Sequence, residues 1–131
     1  MPLPDDLTRS LRTAAARDGD VCALYVFGSR IDGTARPDSD LDVGVLYGSR
    51  QPMRKTLVLE EALHRATGAP VDLVDAARAT PFLALAIVRG DRIFARRGVE
   101  ADLFDLYVLR RAGDLLPYER ARRATLLAPA T

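Results

Sequence analysis

A seven-residue apolar run, Val21-Cys22-Ala23-Leu24-Tyr25-Val26-Phe27, stops on Gly28-Ser29; after the ten residues Arg30 to Ser39, Asp40-Leu41-Asp42 heads a second apolar run. The first run has strand length and is rich in β-formers, so Gly28 falls at a strand's end. In the second, Leu41-Asp42-Val43-Gly44-Val45-Leu46, side chains alternate between faces, which sends Asp40 and Asp42 the same way. Their α carbons stand roughly 7 Å apart at ~3.3 Å of rise per residue, close enough for both carboxylates to meet one cation. Magnesium suits such a pair. It takes one or two protein carboxylates and completes its shell with water and phosphate oxygens. Gly28, lacking a β carbon, lets the backbone approach a phosphate. Ser29 adds a hydroxyl and an N–H for phosphate oxygens, and the residues after it can open a short helix whose N-terminus favours anions.

Taken singly, each piece has an ordinary explanation. Gly-Ser after a strand is commonly a turn, and Pro37-Asp38-Ser39 reads as a bend. The conjunction of strand, Gly-Ser turn, polar connection and a strand opening on two same-face acids is what points to nucleotide chemistry.

That combination resembles the minimal nucleotidyltransferases of the DNA polymerase β superfamily, whose signature is Gly-Ser, ten residues, Asp-x-Asp, carried here by Gly28-Ser29 and Asp40-Leu41-Asp42. The resemblance runs from about Val21 to about Phe94. Gly33-Thr34-Ala35-Arg36-Pro37-Asp38-Ser39-Asp40 is further similar to the small antitoxin members paired with HEPN-domain toxins. Where those relatives often carry Ala-Arg-Gly, this chain has Ile31-Asp32-Gly33, which leaves Arg30 or Arg36 to supply positive charge toward phosphate.

The superfamily uses a third carboxylate from a separate strand to accept the proton of the attacking hydroxyl. Pro70-Val71-Asp72-Leu73-Val74-Asp75 offers two candidates. In a strand, Asp72 points away from Val71 and Leu73, an acid lodged in an apolar run. Asp75 lies past that run, where an acid is an ordinary cap or turn residue. Asp72 is therefore taken as catalytic and Asp75 as structural; a solvent-facing edge-strand residue is the plainer reading of Asp72. By resemblance, Asp40, Asp42 and Asp72 are the catalytic, metal-holding set, and Gly28, Ser29, Arg30 and Ser39 bind the nucleotide.

The remaining chain fits one α/β layer, a single-domain mixed sheet with flanking helices, which the resemblance makes a polymerase β-like nucleotidyltransferase fold. At 131 residues, with 48% hydrophobic and 28% charged residues, it can build one real core. A net charge of +1 argues against a general nucleic-acid binder, so no direct nucleic-acid binding is expected. The lone cysteine, Cys22, rules out an internal disulfide; its apolar strand predicts a buried, inert thiol suited to a reducing cytoplasm. No run approaches ~20 apolar residues and no basic-then-apolar leader opens the chain, so neither membrane nor signal segment is expected.

Asp5 or Asp6 is expected to cap a helix through Leu7, Leu11 and Ala15 that stops near Gly19. A second helix is expected over Met53 to Ala66, ended by Gly68-Ala69-Pro70, with His64, the only histidine, on its surface or at the core edge. Thr80-Pro81 marks a third helix start, and Arg92 to Ala95 a last strand. From Glu100 to Leu116 the pattern is helical, but its apolar residues cover more than one face, so one side packs on the domain and the other on a partner or within the domain. Pro117 is expected to stop it, leaving a basic tail with Arg120, Arg122 and Arg123. Residues 1–98 are thus read as the nucleotidyltransferase core and 99–131 as a helix and tail packing on the core or a partner.

By resemblance, the activity is Mg2+-dependent transfer of AMP from ATP to a hydroxyl, with two Mg2+ ions about 3.5–4 Å apart. The acceptor implied is a tyrosine of a cognate HEPN ribonuclease toxin, which makes the chain an antitoxin. The alternatives are an antitoxin acting by occlusion without catalysis, and a small-molecule nucleotidyltransferase of the aminoglycoside-modifying kind.

Overall fold

The computed structural model describes residues 3–28 and 40–127, with side chains as far as Leu115. The elements run α1 (Asp5–Arg17), β1 (Val21–Phe27), β2 (Leu41–Tyr47), α2 (Met53–Thr67), β3 (Val71–Asp75), a 3₁₀ turn (Ala76–Arg78), α3 (Pro81–Val88), β4 (Asp91–Ala95) and α4 (Gly98–Leu127). The result is a mixed α/β sheet with flanking helices, as the alternation of the sequence predicts.

The strand order is β3-β2-β1-β4. β1 pairs antiparallel with β2 and with β4, while β2 and β3, joined through α2, are parallel. β1 is central and buried along its whole length, which explains its unbroken apolar run: both faces of the sheet are covered. On one face Leu24, Val26, Val43, Val45 and Leu73 meet α1 and α2 through Leu11, Ala15, Leu59 and Leu63. On the other, Ala23, Tyr25, Phe27 and Leu46 meet α3 and α4 through Ile87 and Ala101.

Local chemistry sets the ends of the elements. The residue before α1 is Pro4, with no side-chain cap, so Asp5 and Asp6 lie inside the first turn, where their charge favours the helix dipole, and neither is the cap expected of them. The far end of α1 is closed from a distance: the Arg96 guanidinium donates to the carbonyls of Ala16 (2.9 Å), Asp18 (3.2 Å) and Ala15 (3.4 Å). α2 ends at Gly68, φ 67°, whose N–H returns to the His64 carbonyl. Thr80 caps α3 by accepting from the Leu83 N–H, with Pro81 in the first turn as anticipated.

A second expectation fails. Pro117 does not end the last helix, which runs 30 residues to Leu127. An interior proline removes one N–H bond and crowds the carbonyl four residues back, at ~3 kcal/mol. The arginine, alanine and leucine run beyond it consists of strong helix formers, and their summed propensity outweighs a single break.

Candidate active site

Two acids expected to meet are neighbours in the sheet. Asp42 and Asp72 occupy paired positions on the parallel strands β2 and β3. The start of the pairing is fixed by the Leu41 N–H donating to the Pro70 carbonyl at 2.8 Å. Both acids lie on the α3–α4 side of the sheet, since Leu41, Val43 and Leu73 between them point to the other; Asp42 is half-buried there, while Asp72 on the edge strand is exposed, as its plainer reading has it. Asp40 stands exposed just ahead of β2. Burial first, then the negative charges of Asp72 and Asp40, push the Asp42 carboxyl above its ordinary range. The site is thus an acid held where its own ionisation is disfavoured.

Gly28 closes β1 against this carboxylate. Its φ is +78°, and a β carbon there would run into Asp42 Oδ2. Both the left-handed backbone and the absent side chain are needed, because any L-residue would meet strain and the carboxylate together. Gly44, on the same face of β2, lets Ile87 of α3 lie directly on the strand.

Asp75 sits elsewhere. It accepts from the Ala77 N–H at 3.2 Å and pairs with Arg78 at 3.5 Å, capping the 3₁₀ turn. Its parity along β3 is opposite to that of Asp72. His64 is exposed on α2, and Cys22 is buried, its thiol pushed up by burial and by the adjacent Glu100. Of the remaining positions tied to the nucleotide, Ser29, Arg30 and Ser39 lie outside the described residues, as do Asp32 and Arg36.

The donor chemistry suits a hard divalent cation: hard carboxylate oxygens, one of them, on Asp42, held where burial and like charge oppose a bare anion. Among the described residues, no three histidine, cysteine or acidic groups form a ready metal cage. A pair of carboxylates that leaves the rest of the shell to phosphate and water is the arrangement magnesium takes. No helix of the described residues is long and apolar enough to cross a membrane.

The family profile described as "Polymerase beta, Nucleotidyltransferase" matches residues 10–98. The chain belongs to that family. Its matched stretch begins within α1, takes in Gly28, Asp40, Asp42 and Asp72, and ends as α4 begins. Among solved structures, a toxin-antitoxin crystal structure with AMP-PNP superposes with a TM-score of 0.77 at 23% identity, covering 92% of this chain and 98% of that one. The complex of a tri-AMPylated Shewanella oneidensis HEPN toxin with MNT antitoxin gives 0.72 at 20% identity, covering 93% and 97%. A structure described as a candidate minimal nucleotidyltransferase gives 0.53 at 31% identity, covering 64% and 85%. No curated protein sequence matches. The likeness to the toxin-antitoxin structures spans nearly all of both chains.

Sequence reasoning missed what keeps the last helix on the sheet. The Tyr25 hydroxyl donates to Asp105 at 2.6 Å, and Arg92 pairs with Asp105 at 3.0 Å and Asp102 at 2.9 Å. The only signal was a tyrosine in an otherwise apolar strand, whose buried hydroxyl requires a partner.

Proposed function

We propose that this chain transfers AMP from ATP to a hydroxyl of a partner protein, a tyrosine of a cognate HEPN toxin, and acts thereby as an antitoxin. The observation that carries the reading is the pairing of Asp42 with Asp72 on adjacent parallel strands, with Gly28 shaped against the Asp42 carboxylate. In the reaction, the Asp72 carboxylate takes the proton of the acceptor hydroxyl. The freed oxygen bonds to the α-phosphorus as the bond to pyrophosphate breaks, and the adenylate stays on the acceptor. Asp40, Asp42 and Asp72 would hold magnesium, which would neutralise the pyrophosphate and lower the pKa of the acceptor hydroxyl. Gly28 and Ser29 orient the β and γ phosphates, and Arg30 and Ser39 complete the triphosphate grip. Attached adenylate would silence the partner by adding bulk and negative charge where RNA phosphate must bind.

The relatives' descriptions support donor and partner: one toxin-antitoxin structure holds an ATP analogue, and another contains an AMPylated HEPN toxin. The test is the intact mass of the HEPN partner after incubation with ATP and Mg2+. Wild-type protein is expected to add one or more adenylates and Asp42→Asn none; an unmodified partner in both reactions would defeat the reading. A second reading, neutralisation by occlusion, draws on the apolar stripe that α4 exposes at Val99, Leu103 and Leu106. It predicts that Asp42→Asn silences the partner as well as wild type does.

A further inference from the structure

The free edge of β3 carries a groove that continues the line of Asp72. Leu73 and Val74, the next two residues, point to opposite faces, and both line one cavity of 420 Å³. The cavity therefore wraps the edge of the sheet, walled by Met53 and Leu57 of α2 on one side and Leu83 of α3 on the other. These walls are apolar and face water: Met53 is 73% exposed and Leu57 66%. The strand edge itself is blocked to a pairing strand, because the Glu60 carboxylate accepts the Leu73 N–H at 2.9 Å. What the groove can receive is a set of side chains, not an added strand.

At its far end the groove adjoins a second cavity, of 620 Å³, which shares Asp75 and Arg78 with the first and adds Arg50, Ser49 and Tyr47. Arg78 already neutralises Asp75. Arg50 is exposed and pairs with no acid among the described residues, which leaves this end net positive. The sequence of environments along the edge is then carboxylate at Asp72, apolar trough, guanidinium at Arg50.

We propose that this edge is where the acceptor protein docks: an apolar segment of the HEPN partner lies in the trough, an acidic residue on it meets Arg50, and the acceptor hydroxyl is delivered beside Asp72. The inference rests on the proposed protein-modifying activity and adds to it the surface that selects the acceptor. The trough supplies apolar burial and the arginine fixes direction, since a segment laid in reverse would set its acid against Asp72.

The test measures the dissociation constant for the HEPN partner, adenylate transfer to it, and ATP binding. The variants are Leu57→Asp with Leu83→Asp, Arg50→Glu, Asp42→Asn, and Leu103→Asp with Leu106→Asp on α4, each checked for an unchanged far-UV spectrum. Groove variants are expected to weaken partner binding at least tenfold and to raise KM for the partner without changing ATP binding. Asp42→Asn is expected to bind the partner normally and transfer nothing, and the α4 variant to stay within twofold of wild type. Normal binding by the groove variants, or loss confined to the α4 variant, would overturn the docking site while leaving the activity standing. If wild type binds the partner through the groove yet transfers no adenylate, the catalytic reading falls and the docking site stands. If wild type does not bind the partner at all, both fall.

Discussion

At the scale of single residues, the site turns on Asp42, a carboxylate partly withdrawn from water and faced by two other acids. Because burial and the charges of Asp72 and Asp40 raise its pKa in the fold, it favours folding when protonated; that contribution is present in acid and is lost as pH rises through the raised value. In metal-free buffer at neutral pH, Asp42→Asn is therefore expected to melt above wild type, and the difference is expected to shrink as the buffer is acidified toward the ordinary carboxylate range. Thermal melts across pH with chelator present measure this, and a variant that melts lower at neutral pH would mean the carboxylate is stabilised by contacts of its own. Gly28 makes the complementary prediction. Forcing an L-residue into φ +78° costs roughly 1–2 kcal/mol before the encounter with the carboxylate is counted. Gly28→Ala is expected to cut adenylate transfer by ~100-fold, the scale of a 1 Å misplacement, while the protein still folds. Chemical denaturation alongside the transfer assay separates the two effects.

Between elements, contacts far apart in sequence decide the packing. Tyr25, Asp105, Arg92 and Asp102 form one chain of hydrogen bonds that joins β1, β4 and α4. Tyr25→Phe removes the hydroxyl and leaves the half-buried Asp105 one donor short, at about 1–3 kcal/mol. Urea unfolding reads that loss directly, and a change under ~0.5 kcal/mol, the scale of an ordinary surface substitution, would place the anchor of α4 elsewhere. The sequence showed the elements themselves because their signals are local: the apolar runs at Val21 and Leu41, the Gly68 stop and the Thr80-Pro81 start each act within a few residues. It did not show the Arg96 clasp on α1, which reaches back some 80 positions, and it misjudged Pro117 by weighing one local break against a helix whose propensity accumulates over the whole run. For the site, parity along a strand was enough to set Asp72 apart from Asp75. The pairing of Asp72 with Asp42 needed the parallel crossover, which no spacing in the chain encodes.

For the molecule as a whole, the family match ends at residue 98, yet the core does not. Ala101, Val108 and Ala112 of α4 are buried, and the helix covers the face formed by Cys22, Ala23, Tyr25 and Phe27. A sheet with a fully buried central strand needs cover on both sides; α1 with α2 supplies one, and α3 shares the other with α4. A chain ended after Arg97 would expose the part of that apolar face that α4 covers, together with the Tyr25 hydroxyl, and exposed apolar surface of this kind favours association. Such a fragment is expected to lose the cooperative thermal transition, bind a hydrophobic dye and aggregate, although it keeps Gly28, Asp40, Asp42 and Asp72. Calorimetry of the fragment beside the full chain decides the point. A sharp transition at the wild-type temperature would mean that α4 rests on a core already complete, and the whole of that helix would then be available to a partner.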